Sequence, residues 1–313
     1  MKQKAVFLIT CLFIAGLPLF SQSLANKVAQ AMKKVRHGKY FSGAEEPFNS
    51  AIKTKPGDLI EALKPYVTDS SDKVRIQAAD IIFLASRRNK DNKLRQTAVQ
   101  YLVLTCADKN SGNAGRVNKE LPKYRKEDFN SIAKDSIESY IKRHIYYLDK
   151  VVMLAGYLNL TSAIPDIKAV IGNPKNDDKI KWSAHLALSR MGDDSETGYC
   201  IRVAQSKTMN DAIVYNMLPG LIYTRQKVAI DYMVTLLNSD EKDCISSNPD
   251  NNTEIVCGYR IMEFLAPIIK DFPLQTIEGV NQIRTDNYKA ALETARKWFK
   301  DKAGNYEIKT DTY

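Results

Sequence analysis

Two stretches of this chain, DKVRIQAADI from Asp72 and DKIKWSAHLAL from Asp178, share one pattern: Asp-Lys, a β-branched residue, a base, two further residues and Ala. They begin 106 residues apart. A pattern that recurs with its apolar residues at helical spacing points to layered helices, because each copy carries an apolar face that it cannot cover by itself. In the first copy Val74, Ala78, Ile81 and Ala85 recur at steps of four, three and four. In the second, Ile180, Ala184, Ala187, Leu188 and Met191 share one face, and the small Ala residues at its centre let a neighbouring helix approach closely.

The same grammar extends along the chain. Leu59 and Leu63 lie on one face of a helix that precedes the first copy, and the break TDSSD supplies Asp69, Ser70, Ser71 and Asp72 as N-cap residues. Around the second copy the sequence predicts four helices, with turns at Asn159 to Ser162, before Asp178, and at Gly192-Asp193-Asp194. A further pair is predicted to break at Pro219-Gly220, and TEIVCGYRIMEFLAPIIKDF is predicted to be helical up to Pro267. The last helix carries Tyr288, Leu292, Ala295 and Phe299 on its stripe, joined by Ala291 and Trp298, and reads as a C-terminal cap. Leu24, Val28, Met32 and Val35 mark a cap helix at the other end.

The segment from Leu59 to Ala85 resembles a HEAT repeat, with Asp69 in the turn followed by Val74, Arg75 and Ala78. The segment from Leu154 to Met191 is similar to the HEAT-like repeat of the phycobilisome-lyase type, with Asp178, Ile180, Lys181 and Ala184 in the matching places. The resemblance implies an all-α chain, a right-handed α-solenoid superhelix of HEAT-like helical pairs. It also implies that the Asp caps or ties the turn, the base reaches back across it and the Ala lets helices pack. Such units run roughly 40–47 residues, so the offset fits two units and an insertion of about 20 residues. Asp108 to Asp128, rich in Gly, Asn and Lys, reads as that polar insertion, and a second is read near 239–254.

Lys2 and Lys4 precede an apolar run from Ala5 to Phe20 that ends in small residues, the pattern of a secretory leader over residues 1–25. The chain from residue 26 to 313 is then expected to act outside the cytoplasm, in the periplasm or beyond the cell. In such an oxidising compartment Cys244 and Cys257, which bracket the turn-rich ISSNPDNNTEIV, suit a loop-closing disulfide. Cys106 and Cys200 lie in apolar helical windows and read as buried, inert thiols.

Little points to covalent chemistry. The three histidines, His37, His144 and His185, have no carboxylate, Cys or second His at metal-ligand spacing, and no nucleophile elbow or phosphate-binding glycine loop occurs. Neither metal nor cofactor is expected, and the reading is a non-catalytic scaffold or adaptor that binds an envelope or secreted protein or peptide. Exposed members of Arg75–Arg88 and Lys179–Arg190 are its contact positions. The alternative starts from charge: 46 Lys and Arg oppose 36 Asp and Glu. Lys109, Arg116, Lys119, Lys123, Arg125 and Lys126, with Tyr124 as a stacking ring, would then form a loop for anionic polysaccharide or an anionic membrane surface. A second basic-aromatic patch spans Lys33 to Phe41. Export argues against nucleic acid as the partner.

Overall fold

The computed structural model describes residues 17–246, 253–277, 280 and 282–313, with side chains from Leu24 onward. The expected leader falls outside the described residues as far as Gly16. Among the described residues the chain is mostly helical, with one short hairpin and two isolated β-bridges, consistent with an all-α fold, and it divides into two compact units, Met1–Tyr147 and Leu148–Tyr313.

The first unit holds α1 (Leu17–Arg36), α2 (Phe48–Thr54), α3 (Pro56–Leu63), α4 (Asp72–Ser86), α5 (Asn92–Thr105), α6 (Ser111–Glu120) and α7 (Ser131–Lys142). Helix starts are set by short polar side chains that accept otherwise unpaired backbone N–H groups: Asp91 caps α5, Asn110 caps α6 and Asn130 caps α7. The apolar stripes read from the sequence meet in the core, where Val28, Met32, Leu59, Leu63, Val74, Ala78 and Ile81 are buried. α4 packs on both α3 and α5.

The second unit holds α8 (Leu148–Leu158), α9 (Ile164–Gly172), α10 (Asp178–Arg190), α11 (Asp194–Gln205), α12 (Asp211–Asn216), α13 (Leu218–Thr224) and α14 (Lys227–Leu237). The hairpin of β1 (Cys244–Ile245) and β2 (Glu254–Ile255), α15 (Gly258–Leu265) and α16 (Tyr288–Lys302) complete it. α10 is its hub and packs against α8, α9, α11 and α13. The approach of α8 is close enough that a Cβ on Gly156 would stand 2.9 Å from the Cα of Ala187, so only glycine fits there. A disulfide joins Cys244 to Cys257 across the hairpin.

Several expectations are corrected. Residues 108–128 are not a solvated insertion: they carry α6, and Ala114, Val117, Leu121 and Tyr124 are buried. Their spacing of three, four and three is helical, but the intervening Lys and Asn residues hide it. Asp177, not Asp178, caps α10 by accepting Ile180 N–H. Pro219 does not end a helix; it lies in the first turn of α13, where its missing N–H costs nothing, and the break comes at Met217. Glu254–Ile255 is strand, held in register by the disulfide, and the helix starts only at Gly258. α16 is not the last packed element, because residues 306–313 return to the body of the unit.

Of the two bases in the matching repeat positions, only Arg75 reaches back across its turn. It donates Nη1 to the carbonyls of Asp69 and Ser70, while Nε and Nη2 bond both oxygens of Asp108 at 2.6 Å. Arg95 repeats the arrangement, with Nη1 on Asn89 O and Nε on Asp128. Lys181 makes no such bond among the described residues; Lys179 instead pairs with Asp149 of α8 at 2.7 Å.

Burial alone would raise the Asp108 carboxyl, but the bonds from Arg75, Asn110 N–H and Asn113 outweigh it and hold it below the usual carboxylate range. A carboxyl held low by folding contributes stability above its unfolded pKa of about 3.9, and that contribution is lost as pH falls through the folded value. Asp108→Asn should therefore cost about 3 kcal/mol in chemical denaturation at neutral pH, because it strips a buried guanidinium of its partner, and should flatten the acid limb of stability. A loss under about 1 kcal/mol would contradict this account. Replacing both Cys244 and Cys257 with Ser should cost about 3 kcal/mol, the loop-closure entropy of so short a ring, and should be read from denaturation of the second unit.

Candidate functional site

Two arginines of the second unit, Arg190 and Arg225, are buried without any side-chain carboxylate in salt-bridge contact among the described residues. A guanidinium carries five donors and keeps its charge, so burial demands acceptors in a fixed fork. Those acceptors are main-chain oxygens and one hydroxyl, Thr312 Oγ1, which takes a bond from Arg225 Nη2 at 3.2 Å. Arg190, on the last turn of α10, donates Nη1 to Tyr223 O and Nη2 to Thr310 O and Thr312 O at 3.0 and 2.7 Å. Arg225 donates Nη1 to Ile222 O, Nε to Lys309 O at 3.0 Å, and Nη2 to Tyr313 O at 2.8 Å.

Arg225 reaches these atoms because it ends α13 in a left-handed conformation, φ 55°, which turns the chain sharply after Thr224. Tyr157 of α8 adds a donation from its hydroxyl to Asp311 O at 3.1 Å. The Tyr313 ring then settles between Tyr157 and Tyr223, with centroids at 5.5 and 5.2 Å. Lys309–Tyr313 is thus gripped chiefly by its backbone, and one aromatic side chain is boxed.

Beside the gripped segment lies an open groove of about 610 Å³. Met153, Trp182, Leu186, Ile222 and Phe264 supply its apolar wall, and Thr312 and Tyr313 form another. Gly220 lets α13 close on α10, because a Cβ there would meet Leu186 Cδ1 at 2.7 Å. Asp149, Lys150 and Lys179 also line the groove, both lysines lying within 4.0 Å of the Asp149 carboxylate. Asp149 is 4% exposed, and Lys179 faces its Oδ2 at 2.7 Å without a directed hydrogen bond.

Burial, and after it the charge of Arg190, lowers the hold of Arg225 on its proton, and burial does the same to Arg190. The carboxylate that opposes this at Arg225 is Asp311, on the held segment itself. Burial raises the phenols of Tyr223 and Tyr313, which stay neutral and able to donate.

The sequence-predicted residues are distributed unevenly. Of the contact positions on α10, Lys179 reaches the groove, and Arg190 is buried beneath the segment. Arg75 is buried in its ion pair. The basic loop is not one surface: Arg116 pairs with Asp80 at 2.9 Å, Lys109 and Lys119 are exposed, and Lys126 is half-buried. Lys123 and Arg125 line a separate cleft of the first unit. Tyr124 is no stacking ring; it is 2% exposed, bonds Ser86 Oγ at 2.5 Å and packs edge-on to Phe83. Its burial follows from its place one turn beyond Leu121 on the hidden apolar stripe.

Arg36 and Lys39, from the second basic patch, pair with Asp69 and Glu45. His185 packs on Tyr199 and bonds Glu196 at 2.5 Å. Cys106 and Cys200 are buried free thiols, and burial pushes Cys200 up to about 12. Among the described residues no group of three or more His, Cys, Asp or Glu is placed to hold a metal ion, and no helix is long and apolar enough to cross a membrane.

Sequence reading missed Arg225, Tyr157, Tyr223 and the 309–313 segment. One signal was present: an apolar helix, LPGLIYT, that ends on a base, followed far downstream by a turn-free polar tail with a final aromatic residue. If the guanidinium fork holds the segment, Arg225→Ala should accelerate amide hydrogen exchange over residues 309–313 about tenfold or more, and Arg225→Lys should not restore protection, because an ammonium lacks the fork. Unchanged exchange would assign the hold to the aromatic box alone. The chain matches no protein-family model, no curated protein and no solved structure.

Proposed function

We propose that this chain is an exported, non-catalytic scaffold of HEAT-like helical pairs whose second unit binds an extended peptide segment of a protein partner. One observation carries the reading: the second unit already grips such a segment, Lys309–Tyr313, through four main-chain oxygens bonded by Arg190 and Arg225. Backbone recognition of this kind accepts many sequences, and the tyrosine box adds a preference for one aromatic side chain. The open groove beside it offers the partner apolar surface together with Asp149 and Lys179. That combination, an apolar concavity with a few convergent polar groups, is the usual form of a binding site.

The solenoid part of the proposal is supported by the layered contacts of α3, α4 and α5 and of α8, α10 and α13, and by the repeated Arg-to-turn bonds at Arg75 and Arg95. The export part rests on the leader pattern of residues 1–25 and accords with the Cys244–Cys257 disulfide.

The test removes the resident segment. A variant ending at Ile308 should bind a synthetic Tyr306–Tyr313 peptide, whereas the full chain should bind it at least tenfold more weakly, because the arginine grip and tyrosine box are already occupied. Arg225→Ala in the truncated chain should abolish binding. The partner is then sought by capture from a detergent-solubilised envelope extract, with a discrete protein expected at both low and high salt and its loss expected in Trp182→Ala. A truncated chain that stays folded but ignores the peptide would overturn the proposal.

A further inference from the structure

The first unit carries a second concavity, of about 450 Å³, and its character is opposite to that of the groove. Arg87, Arg88 and Lys90 enter it from the turn between α4 and α5, Lys123 and Arg125 from the turns after α6, and Arg95 from α5 below. Asp128 is the only acid on its lining, and it is consumed by Arg95 Nε at 2.7 Å, Asn92 and the Arg125 N–H. Lys123 and Arg125 have Glu120 and Glu127 nearby, at 2.7 and 3.6 Å. Arg87, Arg88 and Lys90 have no carboxylate partner among the described residues.

Six cations held around one cleft repel one another, and such a cluster is kept at a cost that an anionic ligand would relieve. The floor is rigid, because Arg95 also bonds Asn89 O at 2.7 Å, which fixes the turn that carries Arg87, Arg88 and Lys90. The charges exceed what a single phosphate or sulfate group can engage, so the ligand must repeat its anionic groups. Nucleic acid is a poor fit. Phe83 already has Arg87 and Lys123 over its ring at 5.1 and 5.3 Å, and Tyr124 is buried, which leaves no free aromatic face on which a base could stack. A bilayer is a poor fit as well: no residue lining the cleft is apolar, and a flat surface cannot follow the concavity to Arg95, which is 6% exposed.

We propose that this cleft is a binding site for an acidic polysaccharide, a flexible linear chain bearing repeated sulfate or carboxylate groups. The peptide groove lies in the other unit, so this site stands or falls independently of it.

The experiment uses the full chain and a size-defined, heparin-type sulfated oligosaccharide, titrated by calorimetry at several salt concentrations. Binding should weaken by about 10²-fold between 50 and 200 mM salt, as expected for release of roughly three to four counterions. Arg87→Glu/Arg88→Glu should weaken binding at least tenfold at low salt, and Lys109→Glu/Lys119→Glu, whose side chains lie outside the cleft, should leave it within twofold. Thermal unfolding confirms that each variant is folded, and Arg87→Gln/Arg88→Gln provides a milder version. Absence of oligosaccharide binding, or equal losses in both double variants, would overturn the proposal. So would sedimentation with anionic phospholipid vesicles that the oligosaccharide does not displace, which would assign the charge to a membrane surface.

Discussion

Every α-helix leaves carbonyl groups unpaired at its C-terminal end, and in a stack of short helices many of those ends are buried. This chain meets that requirement with buried arginines. Arg75 serves Asp69 and Ser70, Arg95 serves Asn89, Arg190 serves Tyr223 and Arg225 serves Ile222. In each case a guanidinium from one helix satisfies the carbonyls of a turn or helix end, so the turn is fixed and the next helix departs in a set direction. The cost is a buried positive charge that must find further acceptors.

The two units answer that cost differently, and the difference separates structure from proposed function. In the first unit the remaining donors meet carboxylates, Asp108 for Arg75 and Asp128 for Arg95, each 33 residues downstream. The ion pairs are closed, and they tie α4 and α5 to the turns that follow. In the second unit the remaining donors meet the main-chain oxygens of Lys309, Thr310, Thr312 and Tyr313, and the Thr312 hydroxyl. Backbone oxygens can be supplied by any extended peptide, whereas a carboxylate at a set position requires an Asp or Glu there.

Much of the helical core was legible. Val74, Ala78, Ile81, Leu59 and Leu63 are read from spacing and are buried, since burial of one face is what the period encodes. Asn and Asp before apolar runs mark helix starts, although the cap of α10 is one residue earlier than its resemblance to a repeat suggests. The stretch from 108 to 128 was misread because composition was weighed over period: Ala114, Val117, Leu121 and Tyr124 are few, but they are spaced as a helix requires. The recurrence of Arg and Asp 33 residues apart, at Arg75–Asp108 and again at Arg95–Asp128, was visible in the sequence and would have placed both acids inside.

By itself the sequence determined that the chain is helical, where its main apolar stripes lie, and that Cys244 and Cys257 bracket one polar loop, because period, capping residues and spacing act over a few residues. Only the tertiary structure decided which charges are neutralised and which are left open. Arg87, Arg88 and Lys90 look no different in sequence from Arg75 and Arg95, yet the latter two find carboxylates 33 residues away and the former find none among the described residues. The groove was likewise beyond sequence reading. It is assembled from α8, α10, α13, α15 and residues 312–313, and proximity among segments that far apart is set by packing, not by any local pattern.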